Sequence, residues 1–195
     1  MDAARGWHVV EKQLTHTQCT ELRAEASLLR AQAAVPGETV VDLVHAHLVS
    51  PLCWRTAQQC APLARAAMDV LVPDSRGVAL WRSHFIIQTP GERGFDWHVD
   101  ASSKLCIHDR SEVTLWLPID PPDQDDCGRL ELVPGSHTGE KHEPAQEHRG
   151  RSGCALVMSG HLRHRALARD PDRATLRWTL CLKYCASSSR MYHRN

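Results

Sequence analysis

The chain has 195 residues, enough for one domain with a substantial core. Lys plus Arg and Asp plus Glu both number 23, so the formal net charge is zero and neither a nucleic acid nor an anionic membrane surface is expected as a partner. No run approaches the roughly 18 apolar residues of a spanning helix, and Met1-Asp2-Ala3-Ala4-Arg5-Gly6 lacks the apolar core of a signal peptide, so a cytoplasmic protein is expected.

The first part of the chain reads as helical, over about residues 10–75. Thr15-His16-Thr17-Gln18 fits a capping box, with Thr15 as N-cap and Gln18 reaching back. Cys19, Leu22, Ala26 and Leu29 then recur at spacings of three and four, which gives one apolar face. Pro36-Gly37 is expected to end this helix. A second helical region is expected from about Pro51 to Leu71, with Pro62 splitting or kinking it. Pro73-Asp74-Ser75-Arg76-Gly77 reads as a turn.

The remainder reads as strands, over about residues 78–185. Val78 to Gln88 is rich in strand formers and is closed by Thr89-Pro90-Gly91-Glu92. Val113 to Ile119 follows and stops at Asp120-Pro121-Pro122-Asp123. Arg129 to Val133 alternates polar and apolar residues, and Pro134-Gly135-Ser136-His137 reads as a tight turn with Ser136 bonding backbone. The charged, His-rich tract from Gly139 to Arg151 is expected to be a solvated loop. Gly153 to Met158 is a short apolar run, and Leu176 to Tyr184 alternates again. Helices first and short strands afterwards mean α+β rather than a βαβ repeat, and the strand pattern suggests a barrel or sandwich. Without an internal repeat or a linker, residues 1–195 are read as one domain. The eight cysteines form no C-x-x-C pair and lie in apolar stretches, so most are expected to be small buried hydrophobes.

Chemistry concentrates in Phe95-Asp96-Trp97-His98-Val99-Asp100. On an extended backbone His98 and Asp100 project from one face, because side chains alternate with period two. An imidazole beside a carboxylate supplies two thirds of the 2-His-1-carboxylate triad that holds non-haem Fe(II) with positions left open. The third ligand needs a distant His, and Gly160-His161-Leu162-Arg163-His164-Arg165 offers two.

After His98-x-Asp100 come Thr114-Leu115-Trp116-Leu117-Pro118-Ile119-Asp120 and then Gly128-Arg129-Leu130-Glu131-Leu132-Val133-Pro134-Gly135-Ser136-His137. A late His and Arg177-Trp178-Thr179-Leu180-Cys181-Leu182-Lys183-Tyr184 complete the order. In this order the chain resembles the phytanoyl-CoA dioxygenase family of Fe(II)- and 2-oxoglutarate-dependent oxygenases, over roughly residues 80–185. The resemblance implies a double-stranded β-helix, a cupin-like jelly-roll barrel with the N-terminal helices packed on one sheet. It implies Fe(II) held by His98, Asp100 and His164, with 2-oxoglutarate as co-substrate and O2 as oxidant. His161 is the rival ligand. His164 and Arg177 stand slightly further apart than the family spacing, so the turn Ala168-Arg169-Asp170-Pro171-Asp172 is expected to be longer here.

One carboxylate and the keto oxygen of 2-oxoglutarate can chelate iron, and the far carboxylate needs a fixed cation. Arg offers bidentate, permanently charged recognition. Arg177 resembles the family residue for this role, Thr179 shares its strand face, and Arg173 is the alternative if the turn is shorter. Gln88 is a candidate for bonding the iron-bound carboxylate, and Trp116 matches a family position lining the co-substrate pocket. Because Asp100 is present, halogenation is disfavoured against hydroxylation with release of succinate and CO2. Ala101 to Arg110 should border the open mouth. Lys104, Arg82 or Arg93 can meet an anionic group, with a solvated charge as the stronger reading of each. A small organic substrate is expected. Two other readings stand beside this one: a cupin-like metal enzyme that does not use 2-oxoglutarate, and a non-catalytic small-molecule sensor on the same barrel.

Overall fold

The computed structural model describes residues 1–33, 41–73, 75–101, 105–107, 111–121, 127–139, 143–189 and 191–193. Pro36-Gly37, Lys104 and Pro122-Asp123, each given a role above, lie outside the described residues. In chain order the elements are β1 (Trp7–Val10), α1 (His16–Ala33), β2 (Val41–Val44), α2 (Pro51–Leu71), β3 (Val78–Gln88), β4 (Leu105–Ile107) and β5 (Glu112–Pro118). They continue with β6 (Arg129–Leu132), β7 (Gln146–Arg149), β8 (Ala155–Ser159), β9 (His164–Ala166), β10 (Arg177–Ala186) and β11 (Met191–His193).

Both helices begin where their caps dictate. The Thr15 backbone N–H donates to Gln18 Oε1 at 2.8 Å, and the Gln18 N–H donates to Thr15 Oγ1 at 3.2 Å. At α2, Ser50 Oγ accepts from the Cys53 N–H at 3.0 Å, and Pro51 occupies the first turn, where its missing donor costs nothing. Three local readings are corrected. The second helical region is not split: α2 runs through Pro62 from Pro51 to Leu71. Pro62 and Gln58 are both exposed, so water can satisfy the carbonyl that the proline deprives of its donor. Val41–Val44 is a strand inside the part read as helical. Gln146–Arg149 is a strand in the tract read as loop, because an edge strand with no apolar face carries no periodic signal.

The strands form an antiparallel six-stranded sheet in the order β1-β8-β5-β10-β3-β2, an antiparallel three-stranded sheet β7-β6-β9, and the pair β11-β4. The large sheet has two unlike faces. One carries Phe85, Ile87, Leu115, Leu117, Leu180 and Leu182, all buried in a core shared with Cys19, Leu22, Cys53, Ala57, Ala64 and Met68 of the helices. Each fully buried large aliphatic there contributes roughly 1.5–3 kcal/mol. Small residues along α2 let it sit close, and Tyr184 Oη donates to the Ala57 carbonyl at 2.6 Å. The opposite face carries Arg177, Thr179, Cys181 and Lys183 of β10, directly across from Gln88, Ile86, His84 and Arg82 of β3. Trp116, Met158 and Cys181 from this face join Leu130, Leu132 and Ala166 of the small sheet in a second apolar cluster. The site lies on this polar inner face.

Candidate functional site

Residues 95–101 run antiparallel beside 160–166. His98 and His164 exchange both backbone hydrogen bonds at 2.9 Å, and further bonds join Ala166 to Phe95 and Ala101 to Gly160. A directly opposed pair of this kind puts both side chains on one face. The imidazole centroids accordingly stand 4.3 Å apart. Asp100, two residues on, joins them: one donor atom from each of His98, Asp100 and His164 lies within 4.8 Å of the others. Close approach is needed for this pairing, since a Cβ on Gly94 would collide with the Ala166 carbonyl. Arg163 and Arg165 flank the Trp97 ring at 5.3 and 4.9 Å, fixing the residue before His98.

The donor set suits a divalent metal such as Fe(II). His98 Nδ1–H donates to the Asp96 carbonyl at 2.7 Å, and His164 Nδ1–H donates to the Leu162 carbonyl at 2.9 Å. Carbonyls only accept, so each ring keeps its Nε2 lone pair for a metal. Burial lowers the His164 pKa, opposed by Asp100, which favours the neutral ligand form. Burial pushes the Asp100 carboxyl up, but Lys183 and His164 outweigh it and hold the group well below the usual carboxylate range. Lys183 Nζ donates to Asp100 Oδ1 at 2.8 Å, with both side chains about nine-tenths buried.

A small chamber of about 60 Å³ extends inward from these three residues, and its lining includes Trp116, Arg177 and Thr179. Arg177 and Thr179 are buried, at 4 % and 2 % exposure. Gly128, at φ +105°, leaves room for both Arg177 and Trp116, because a Cβ there would stand 3.1 Å from each. Gln88 faces Arg177 across the strand pair, and its buried amide has no partner among the described residues. Gln88 does not line the chamber. His161 stands outside the cluster, in a separate hollow near Ser159 and His137. Arg173 and Arg93 are exposed. Ser136 bonds backbone as expected, its Oγ accepting from the Arg163 N–H at 2.8 Å.

Two features of the site were not singled out from the sequence. Lys183 follows Arg177 and Thr179 at even spacing, so strand alternation already put it on their face. The Asp42–His84 pair joins β2 to β3 at 2.7 Å and had no local signal, because β2 itself was missed. Outside the chamber, an open cleft of about 560 Å³ leads to His98 and Asp100 and is walled in part by Asp42, Arg82, His84 and Phe95.

The family model described as Phytanoyl-CoA dioxygenase (PhyH) matches residues 4–175. No curated protein matches the chain in sequence. Among solved structures, the non-heme alpha ketoglutarate dependent carbocyclase SnoK from nogalamycin biosynthesis superposes with a TM-score of 0.78 at 16% identity, over 98% of this chain and 83% of that one. EctD from S. alaskensis with bound Fe gives 0.77 at 20% identity, over 97% and 76%. The epimerase SnoN in complex with Fe3+, alpha ketoglutarate and nogalamycin RO gives 0.74 at 18%, over 98% and 82%. At these identities the likeness is one of fold. SnoN binds Fe3+ and alpha ketoglutarate and EctD binds Fe, and this chain presents a His-Asp-His set able to hold iron.

Proposed function

We propose, from the premise that the chain belongs to the phytanoyl-CoA dioxygenase family, that it is an Fe(II)- and 2-oxoglutarate-dependent dioxygenase hydroxylating a small organic molecule. One observation carries the reading: His98, Asp100 and His164 converge at the mouth of a chamber whose lining also holds a buried Arg177 and Thr179. The two sheets with apolar side chains between them support a double-stranded β-helix around that chamber, as one domain over residues 1–195. Among the described residues no helix is long and apolar enough to cross a membrane. Seven buried cysteines with no disulfide among them fit the reducing cytoplasm.

His98, Asp100 and His164 would hold Fe(II), and Arg177 with Thr179 would hold the far carboxylate of 2-oxoglutarate. Bound together, iron and 2-oxoglutarate supply the oxidising chemistry that consumes O2 and releases succinate and CO2. The protein's own part is positional. Lys183 keeps Asp100 ionised and aimed, and Arg177 orients the co-substrate from a buried wall. Trp116, backed by its edge-on contact with His148 at 6.1 Å, shields the chamber. As a metal ligand Asp100 would fill a place that a halide would otherwise need, which favours hydroxylation over halogenation. Neighbours that are an epimerase and a carbocyclase mark the alternative outcomes of the same oxidation.

Anaerobic loading with Fe(II) and 2-oxoglutarate, followed by O2 and quantification of succinate, tests the reaction. Arg177→Ala should weaken 2-oxoglutarate binding by about 10- to 100-fold, the value of a lost charged hydrogen-bond pair. An unchanged affinity would remove the clamp and favour a metal enzyme that uses no 2-oxoglutarate.

A further inference from the structure

His84 sits near the middle of β3 with 6 % of its surface exposed, yet it lines the open cleft. Its Nδ1 lies 2.7 Å from Asp42 Oδ1. A carboxylate accepts there, so Nδ1 carries the proton and Nε2 is left with a lone pair. That Nε2 is buried and has no hydrogen-bond partner among the described residues. Burial lowers the His84 pKa, with Asp42 opposing and Arg82 and Lys183 adding to the lowering, so the ring is a neutral acceptor near pH 7. A buried acceptor without a donor has lost its hydration with nothing in return, a cost that a ligand donor would recover.

Arg82, two residues along the same strand face, also lines the cleft. Its Nε is buried without a partner among the described residues. Lys183, directly opposite, is engaged by Asp100, which leaves Arg82 as the cation of that wall with no ion pair among the described residues. Asp42 and Asp100 line the same cleft, so a doubly charged anion would meet about twice the repulsion that a single carboxylate does.

We propose that His84, oriented by Asp42, is a specificity-determining residue whose Nε2 accepts a hydrogen bond from a hydroxyl or amino group of a small substrate whose carboxylate is held by Arg82. The substrate class is therefore a hydroxy or amino acid. This deepens the oxygenase reading and rests on it only in taking the cleft as the substrate's entrance.

The test is anaerobic calorimetric titration of the protein loaded with Fe(II) and 2-oxoglutarate. The probes are a panel of 2-hydroxy and 2-amino acids, each paired with its methyl ester and with the parent acid lacking the hydroxyl or amine. At least one acid should bind about tenfold more tightly than both of its partners. His84→Phe should abolish the preference for the donor while keeping the preference for acid over ester. Arg82→Gln should do the reverse, and His84→Gln, which restores an acceptor oxygen, should recover part of the donor preference. The proposal is overturned if no panel member binds, if esters bind as well as acids, or if His84→Phe retains full donor discrimination. Separate titrations of Fe(II) and of 2-oxoglutarate in the same preparation report on the oxygenase reading, and their failure is a different result from failure of the panel.

Discussion

Glu112 is 1 % exposed, and neither of its carboxylate oxygens has a hydrogen-bond partner among the described residues. Burial pushes its carboxyl up to about 7, with Lys183 and Arg82 opposing and Asp100 adding to the rise. The consequence for stability has a definite sign. Below pH 4.5, the ordinary value for this group, both folded and unfolded chains hold the proton and nothing is gained or lost. Between there and about 7 the unfolded chain releases it while the folded one keeps it, so stability falls as pH rises and then levels off. The fall is on the order of 3 kcal/mol for a shift of this size. Glu112→Gln should flatten that slope, read as the change in urea midpoint between pH 5 and pH 8. A variant with the wild-type slope would mean that the proton is held elsewhere, for which Asp120, also pushed up to about 7 by burial, is the next candidate. No such behaviour could be read in the sequence, where Glu112 opens an ordinary strand. The alternation that made Arg177 and Thr179 visible did extend to Lys183, and only the absence of a family role for that residue hid it.

At the level of elements, legibility tracked amphipathic contrast. Helix α1 announced itself through Thr15, Gln18 and the Cys19-Leu22-Ala26 face, all of which the structure uses. Strands β3, β5 and β10 were legible because each has an apolar face against the helices. Strands β2 and β7 were not, for opposite reasons. β2 is four residues inside a stretch whose neighbours are helical, and β7 is polar throughout and gains its order from pairing with β6. Helix α2 corrects the weight given to a single proline. The helix has enough buried surface, from Cys53 to Met68, to carry the defect at Pro62. That defect still costs free energy. Pro62→Ala restores the N–H toward Gln58 and removes the ring's crowding, so it should stabilise the protein by about 1–3 kcal/mol. A rise in the urea midpoint without change in slope would register it. No rise would mean that the surrounding packing of α2 on β3, β5, β8 and β10 already absorbs the missing hydrogen bond at Pro62.

Across the whole molecule, the site is a junction between parts that the sequence keeps far apart. His98 and Asp100 belong to the segment between the two large-sheet strands β3 and β5, His164 to the small sheet, and Lys183 to the large one. The two-residue spacing of His98 and Asp100 was visible locally, but the choice of His164 over His161 depends on the register that sets residues 95–101 against 160–166. Long-range register of that kind has no local signature. A metal at this point would tie the segment to the small sheet through His98 and His164. Through Asp100 and Lys183 it would also tie the segment to the large sheet. It would therefore bind the folded chain and not the unfolded one, and should raise stability by mass action. At a free metal concentration about 100 times the dissociation constant the gain is about 2.7 kcal/mol. For a chain of this size that is roughly 5–10 °C in Tm. Fe(II) added anaerobically should produce that upward shift in a thermal melt, and His164→Ala should lose it. The comparison is the shift within each protein, so a lower starting Tm in the variant does not affect it. A full metal-induced shift in His164→Ala would place the third ligand elsewhere and undo the three-residue centre on which the oxygenase reading stands.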